Sequence, residues 1–237
     1  MKPLIEIKGK ILEGVFLRRF NKFLVEVEHD NKVNLCYLRD TGRLKKLLFQ
    51  SNKLLFLKKS LTGNRKTNCE ILAAWRSDCN EWVLINPGFH SDIVEKIINN
   101  GLISSLKYYV VEAREVKYKS SRIDFLLRNR NGAKALLEVK GCTLFRDNTC
   151  YYPDAPTKRG SKHIMELLNA VKNGMDAFIL FIVPGKAEKV KPNERIDPIF
   201  SVNLKKAIEL GVKPLAVRVK LINNAIYFLN EIPVSVD

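Results

Sequence analysis

The spacing of apolar residues changes partway along the chain, and this change constrains the fold more than any other feature of the sequence. Apolar and polar residues first alternate in short runs such as residues 23–28, which is typical of half-buried strands. Later, residues 89–100 carry apolar side chains at helical spacing, and continuous apolar runs follow. An Asn-Pro-Gly turn at residues 86–88 separates the two patterns. We therefore predict two domains, over residues 1–84 and 85–237.

The N-terminal half is predicted to be a small β-barrel. It contains about five strand-like runs, with a short helical piece at residues 44–48 between the third and the fourth run. This order matches a Greek-key barrel of the OB type. The strand-like runs cover residues 4–12, 23–28, 33–37, 54–58, 68–75 and 82–85.

The C-terminal half is predicted to be an α/β domain with a mixed sheet, which makes the whole chain an α+β protein. Its helices are expected over residues 89–100, 161–173 and 201–210. Its strands are expected over residues 108–118, 122–128, 134–140, 177–183 and 214–221.

Two neighbouring predicted strands of this half carry charged residues that could form a reactive site. Glu138 and Lys140 are two residues apart, so their side chains point to the same face of an otherwise apolar strand. Burying such a pair is costly unless the charges are paired or used. With Asp124 on the preceding strand, two carboxylates could hold Mg²⁺ or Mn²⁺, and the lysine could orient water or stabilise a phosphate. A surface ion pair between Glu138 and Lys140 is the structural alternative.

The length of the loop between these strands decides whether the two carboxylates meet. A two-residue turn at residues 131–132 would place Asp124 opposite Val139, on the wrong face. A three-residue loop at residues 130–132 would place Asp124 opposite Glu138. Such a loop needs a left-handed residue at its third position, and Gly132 supplies it.

Two further carboxylates are candidates for the same site. Glu115 could supply a third carboxylate, and an ion pair with Lys117 or Arg122 on the strand surface is the alternative. Glu95, on the predicted helix before the sheet, is the other candidate.

The charge of the chain favours a polyanionic partner, with nucleic acid as the first choice. Lys and Arg number 41 against 25 Asp and Glu, which gives a net charge of +16. The pI of about 9.7 exceeds the value of about 9 that is typical of nucleic-acid-binding domains. A solvated charged face is the alternative. Residues 39–66 concentrate this charge and supply the candidate DNA contacts Arg39, Arg43, Lys45, Lys46, Arg65 and Lys66.

A second candidate phosphate site precedes the central helix of the C-terminal half. Gly160 frees the backbone there and Ser161 is a fair N-cap, so the helix could present its N-terminus to a phosphate. Arg159, Lys162 and His163 are the candidate DNA contacts beside it. Ordinary capping with solvated charges is the alternative.

The sequence predicts a cytoplasmic protein. No apolar run approaches the ~18–20 residues that span a bilayer, and no signal peptide is apparent. The five cysteines are odd in number and lack Cys-x-x-Cys spacing, which argues against a zinc knuckle or a secreted disulfide framework. We expect reduced thiols; in a hyperthermophile, Cys69–Cys79 and Cys142–Cys150 could instead be bridged.

Several motifs in order resemble known families. An Asp followed on the next strand by Glu-x-Lys resembles the PD-(D/E)XK nuclease superfamily. The longer context is similar to the sugar fermentation stimulation protein A family, over roughly residues 10–220. The segments that carry this similarity are Leu38-Arg39-Asp40-Thr41-Gly42-Arg43-Leu44, Glu115-Val116-Lys117-Tyr118, Ser121-Arg122-Ile123-Asp124-Phe125, Glu138-Val139-Lys140, Tyr152-Pro153-Asp154-Ala155 and Arg159-Gly160-x-Lys162-His163.

This resemblance implies an N-terminal OB domain, a PD-(D/E)XK-like C-terminal domain and DNA binding. Two functions remain open. One is a Mg²⁺-dependent nuclease in which Asp124 and Glu138 hold the metal and Lys140 orients the attacking water. The other is a non-catalytic DNA-binding regulator of sugar, notably maltose, metabolism. The expected partner is single- or double-stranded DNA and no membrane; the oligomeric state is open, a homodimer being one option.

Overall fold

The computed structural model of the chain describes residues 2–58 and 67–236. The predicted DNA contacts Arg65 and Lys66 lie outside the described residues. None of the described helices is long and apolar enough to cross a membrane.

The N-terminal half forms a curled six-stranded sheet. Its alternating pattern buries one side of each strand, as at Val25 and Val27. Together with a short first strand, the strands in chain order are β1 (Ile5–Glu6), β2 (Ile11–Arg19), β3 (Leu24–His29), β4 (Lys32–Tyr37), β5 (Lys53–Lys58), β6 (Cys69–Arg76) and β7 (Glu81–Leu84). The order across the sheet is β4-β3-β2-β5-β6-β7, and β4 also pairs in parallel with β6, so the sheet curls back on itself as a barrel does.

A disulfide joins Cys36 of β4 to Cys69 of β6 where the curled sheet meets itself. Cys79, Cys142 and Cys150 are free, and the last two are buried. The prediction that all thiols are reduced is therefore wrong, and so are both alternative pairings. Linear spacing could not reveal this bridge, because it depends on the parallel pairing of two strands that are far apart in sequence.

The predicted helical piece at residues 44–48 is a single helical turn. The amides of Leu47 and Leu48 donate to the carbonyl oxygen of Leu44 at 2.9 and 2.8 Å, and no helix continues from them. Leu44, at the start of this turn, has a left-handed backbone with φ of 49°, so helical geometry does not extend toward the N-terminus. The three leucines are buried in the barrel core, so the turn is kept for packing rather than for its length.

The C-terminal half is a mixed sheet flanked by helices, as predicted. The helices are α1 (His90–Asn99), α2 (Lys158–Lys172) and α3 (Pro198–Glu209). The strands are β8 (Tyr109–Tyr118), β9 (Ser121–Asn129), β10 (Lys134–Gly141), β11 (Leu144–Arg146), β12 (Thr149–Tyr152), β13 (Asp176–Val183), β14 (Lys189–Pro192), β15 (Lys213–Ile222) and β16 (Ala225–Glu231).

The main sheet has seven strands in the order β1-β16-β15-β13-β10-β9-β8, while β11, β12 and β14 form a small separate sheet. Strands β10, β13 and β15 run parallel at its centre, and the near-continuous apolar sequence of β13 is buried on both faces. The strand-like run at residues 4–12 predicts β1 as part of the barrel, but β1 pairs with β16 through Ile5 and Ile226. A two-residue strand carries too short a pattern to reveal its partner.

The two halves share their hydrophobic cores. Phe56 of the barrel belongs to one buried cluster with Phe181 and Phe200, and Leu72 of the barrel belongs to a second cluster with Ile93 of α1. At the same junction the guanidinium of Arg76 donates to the carbonyl oxygen of Lys186 at 2.8 Å and lies over the ring of Phe145. These contacts fix the barrel against the C-terminal sheet.

Candidate active site

The β9–β10 hairpin brings Asp124 and Glu138 to the same level of the sheet. The amide of Asn129 donates to the carbonyl oxygen of Ala133 at 2.9 Å, so the loop contains three residues, and Gly132 has φ of 82°. The predicted loop length and its left-handed glycine are therefore confirmed. The ladder runs as far as Phe125 opposite Leu137, which makes Asp124 and Glu138 the next facing positions.

Asp124 marks the point where β9 and β10 separate. Its Oδ2 accepts a hydrogen bond of 2.7 Å from the amide of Val139, so the side chain takes the place of a backbone acceptor. The pKa of the Asp124 carboxyl is raised to about 6, chiefly by burial and also by the charge of Glu138, while the bond from Val139 and the charge of Lys140 act in the opposite direction. A cation at this position would favour the ionised carboxylate.

Glu138 is almost fully buried and only one of its oxygens is hydrogen-bonded. Its Oε1 accepts from the ammonium of Lys140 at 2.5 Å and from Nδ1 of His163. Its Oε2 is buried and has no hydrogen-bond partner. Burial alone would raise the pKa of Glu138, but the bonds from His163 and Lys140 outweigh it, and the pKa lies below its usual value. The site therefore holds a buried carboxylate with one unsatisfied oxygen.

His163 supports Glu138 instead of contacting DNA, which corrects the sequence prediction. Its side chain is buried, and Nε of Arg159 donates to its other ring nitrogen, Nε2, at 3.4 Å. The helical phase could have shown this, because residue 163 falls on the same buried face of α2 as Ile164 and Leu167. Arg159, one turn earlier, is exposed and stays available to a ligand.

The N-terminus of α2 differs from the prediction. The helix begins at Lys158, and the hydroxyl of Thr157 accepts from the amide of Gly160 at 2.9 Å, so Thr157 and not Ser161 is the N-cap. The ammonium of Lys162 donates to the carbonyl oxygen of Ser120 at 2.8 Å. Lys162 is therefore anchored beside the β8–β9 turn.

The other candidate carboxylates differ in their surroundings. Glu115 lies on β8 between the pairs Arg114–Phe125 and Val116–Ile123, so it faces Asp124 on β9. Its charge also raises the pKa of Asp124. It is half-exposed and 3.9 Å from Arg122. Glu95 pairs with Arg114 instead.

A cleft of about 510 Å³ opens beside Lys140, between the barrel and the C-terminal domain. Arg39 and residues 40–42 line it from the barrel side. Residues 151–157 and Arg159 line the opposite side. The segments that carry the family resemblance in the two halves of the sequence therefore face each other across one cavity.

One wall of the cleft depends on close packing of His90 against Gly141. A Cβ at residue 141 would lie 2.4 Å from Cε1 of His90, so only glycine allows this approach. Burial lowers the pKa of His90 to about 4, and its imidazole is neutral at pH 7. His90 could not be singled out from the sequence, since a lone histidine at the start of a helix carries no distinctive signal.

Two aspartates line the cleft, Asp40 from the barrel and Asp154 from the C-terminal half. Asp40 Oδ1 accepts from the amide of Gly42 at 2.7 Å, and Asp154 Oδ2 accepts from the amide of Leu44 at 3.1 Å. The pKa of Asp40 is raised to about 6, chiefly by burial and also by the charge of Asp154, while the bond from Gly42 and the charge of Arg19 act in the opposite direction. The loop between β4 and β5 (residues 38–52), called the barrel loop below, is thus held by the segment that precedes α2.

Gly42→Ala is expected to disturb this contact between the halves. A Cβ at residue 42 would lie 2.5 Å from Oδ2 of Asp154, closer than real Cβ contacts allow. We expect the free energy of unfolding, measured by urea denaturation, to fall by about 1–3 kcal/mol. Thr41→Ala, at the exposed neighbouring position, should change it by less than about 0.5 kcal/mol. Equal losses in the two variants would contradict this account.

The basic residues of the barrel loop extend the positive surface beyond the cleft. Arg43, Lys45 and Lys46 line a smaller cavity of about 220 Å³ together with Arg146. Arg43 and Lys45 are exposed, and the ammonium of Lys46 also donates to the carbonyl oxygen of Phe145 at 3.2 Å. The predicted contacts Arg39, Arg43, Lys45 and Lys46 therefore lie along neighbouring cavities.

The carboxylates of the site fit a cation only as a pair. Among residues 2–58 and 67–236, no three His, Cys, Asp or Glu side chains gather closely enough to hold a metal ion. The unsatisfied oxygen of Glu138 and the carboxylate of Asp124 are oxygen donors of the kind that Mg²⁺ accepts. Water and substrate phosphates commonly complete such a shell.

The fold and the site define a two-domain protein, in which an OB barrel is joined to a restriction-endonuclease-like α/β domain. Family models match both parts: the SfsA N-terminal OB domain over residues 17–85 and the sugar fermentation stimulation protein RE domain over residues 88–225. The chain belongs to the sugar fermentation stimulation protein (SfsA) family. The predicted resemblance and fold class are confirmed.

Relatives cover nearly the whole chain. A sugar fermentation stimulation protein homolog of Methanothermobacter thermautotrophicus is 44% identical over 202 residues, covering 85% of this chain and 82% of the relative. One of Thermosipho melanesiensis is 42% identical over 224 residues and covers 94% of each chain. The structure of Pyrococcus furiosus SfsA in complex with Ca²⁺ matches with a TM-score of 0.90 at 27% identity, covering 99% of this chain and 100% of that one.

Proposed function

We propose that this protein binds DNA and hydrolyses its phosphodiester bonds with Mg²⁺ or Mn²⁺ held by Asp124 and Glu138. The observation that carries the proposal is the buried Oε2 of Glu138, which has no hydrogen-bond partner and lies beside a second carboxylate. An unsatisfied buried carboxylate oxygen costs free energy, and a bound cation would satisfy it. The related P. furiosus protein was solved in complex with a divalent cation, Ca²⁺, which supports this choice.

Each side chain of the site has a separate role in the proposed reaction. A bound divalent cation would polarise the phosphate and lower the pKa of a bound water molecule. Lys140 lines the cleft and keeps two donors beyond its bond to Glu138, with which it can orient water and stabilise charge on the phosphate. His163 holds Glu138 in position, and Arg159 holds His163.

DNA is the proposed substrate because the protein is strongly basic and three basic side chains line the cleft, against two aspartates, Asp40 and Asp154. The net charge is +16, and Arg39, Lys140 and Arg159 line the cavity. Glu115 is close enough to influence Asp124 and is the candidate for a third carboxylate that acts once substrate is bound.

A non-catalytic regulator of sugar metabolism genes is the second candidate function. The description of the matching family as a sugar fermentation stimulation protein favours it. In that case the cleft would bind DNA and the Asp124–Glu138 pair would serve only to hold Lys140 and His163.

Metal titration separates the two candidate functions, because only the first requires Asp124 and Glu138 to bind a cation. We expect calorimetry to show Mn²⁺ binding that weakens at least about tenfold in Asp124→Asn, since a charged ligand is lost. Affinity should also fall as the pH is lowered through about 6, because protonation of Asp124 then competes with the cation. Asp30→Asn, in the exposed β3–β4 turn, is the control and should bind Mn²⁺ as the wild type does. Absence of Mn²⁺ binding in the wild type would overturn the metal site.

A further inference from the structure

Exposed aromatic rings lie on the barrel near the β2–β3 turn. Phe20 is 50% exposed and Phe23 is 37% exposed, although large apolar side chains are normally buried. Phe23 stacks on Tyr37 of β4, with ring centroids 6.2 Å apart and planes inclined by only 18°. The barrel thus exposes aromatic side chains to solvent at one place.

Cations flank each of these rings. The guanidinium of Arg18 lies 4.5 Å from the ring of Phe20, the ammonium of Lys22 lies 5.0 Å from that of Phe23, and Arg39 lies 5.9 Å from Tyr37. We call Arg18, Phe20, Lys22, Phe23, Tyr37 and Arg39 the aromatic platform. Surfaces that hold single-stranded nucleic acid combine aromatic rings, on which bases stack, with cations that bind the phosphates.

The platform is continuous with the cleft. Arg39 is its last cation and also lines the cavity beside Lys140. The guanidinium of Arg19 ties the two regions together, because it donates to the carbonyl oxygen of Lys22 at 3.0 Å and to that of Gly42 at 2.6 Å. A strand lying on the platform would therefore be held at a fixed position relative to Lys140.

We propose that the aromatic platform binds single-stranded DNA by stacking its bases on Phe20, Phe23 and Tyr37, and leads the strand into the cleft. This inference rests on the proposed function and names the form of DNA that the cleft receives. A duplex keeps its bases inside the stack and gives these rings nothing to contact, whereas a single strand exposes a flat face at every base. The basic loop at residues 43–46 could still hold duplex phosphates without the rings.

The test compares binding of a fluorescent oligothymidylate and of a duplex of equal charge, in EDTA so that no cleavage occurs. Phe20→Ala with Phe23→Ala should weaken oligothymidylate binding about 10–100-fold, since each lost base stack weakens binding substantially. Duplex binding should change less than about twofold. Tyr108→Ala is the matched control, because Tyr108 is 57% exposed and flanked by Lys107 and Arg130 on the C-terminal domain.

A second measurement needs no variant and is independent of folding. The wild-type protein should bind an abasic strand of the same length at least as weakly as the double variant binds oligothymidylate, because all stacking is lost and the ring of Tyr37 has no base to contact. Equal affinity of the wild type for the abasic and normal strands would overturn the platform, and so would an unchanged double variant.

The outcome for the platform is separate from the outcome for hydrolysis. If the rings matter in EDTA but no metal supports cleavage, the platform stands and hydrolysis falls. If cleavage occurs and the rings do not matter, hydrolysis stands and the platform falls.

Discussion

Lys140→Ala is expected to lower the rate of metal-dependent DNA cleavage by about 10²–10³-fold and to leave DNA affinity in EDTA nearly unchanged. The lysine lies at the cleft beside the two carboxylates, where charge would build up on a phosphate. Removal of one donor that acts at the transition state typically has an effect of about this size. DNA affinity depends instead on many basic groups, so one loss matters little. Cleavage of a single-stranded oligonucleotide and of a plasmid with Mg²⁺ or Mn²⁺, measured in parallel, gives the rate.

Lys134→Ala is the matched control, because Lys134 lies on the same strand and also pairs with a glutamate, Glu112, at 3.0 Å. It should cleave DNA at the wild-type rate. Thermal unfolding of both variants distinguishes catalysis from folding. If Lys140→Ala unfolds while Lys134→Ala does not, Lys140 is a structural partner of Glu138. If the wild type cuts no DNA with any divalent metal, the non-catalytic regulator is the better account.

DNA affinity is expected to fall by about 10³-fold or more when the salt concentration rises from roughly 50 to 200 mM. The charge is spread over both halves of the chain, and the cavities that Arg39, Arg43 and Lys45 line adjoin the cleft, so several phosphates should be contacted at once. Arg43→Ala with Lys45→Ala should reduce the slope of log affinity against log salt by about 2. Fluorescence anisotropy at several salt concentrations in EDTA gives this slope.

We choose Arg43 and Lys45 because Lys46 also bonds the carbonyl oxygen of Phe145, so its loss would disturb contacts between the halves. Lys205→Ala with Lys206→Ala removes two exposed charges from α3 and should leave the slope unchanged. An affinity that does not vary with salt would contradict the electrostatic account. Equal effects of the two double variants would show that only total charge matters.

The sequence was sufficient to predict the three α-helices, most of the longer strands and the facing positions of the carboxylates. It did not predict β11, β12, β14 and β16, or most of β2, which lies beyond the predicted run 4–12. Alternation and helical spacing are local patterns, and the three helices follow them to within three residues. The meeting of Asp124 with Glu138 was predictable because one short loop sets the register of one hairpin, and Gly132 restricts the loop length.

The remaining features depend on contacts between distant parts of the chain. Cys36 and Cys69 meet only because the barrel closes, and Asp154 reaches the barrel loop across more than a hundred residues. His163 was assigned to DNA by its basic neighbours, although its place on the buried face of α2 decides its contacts. Thr157 caps α2 because the chain leading into it is fixed by Asp197, whose carboxylate accepts from the amide of Thr157.

The pairing of β1 with β16 has a consequence for any attempt to divide this protein. A fragment that begins at residue 85 lacks β1, so β16 becomes an exposed sheet edge that can recruit another molecule. It also uncovers the apolar side chains of α1, which pack against Leu72 and Leu84 of the barrel. Both exposed features favour self-association. A soluble C-terminal fragment would need residues 4–7 joined to it by a linker, and polar replacements on the uncovered face of α1. Limited proteolysis near residue 85 should therefore destroy solubility rather than release two working domains.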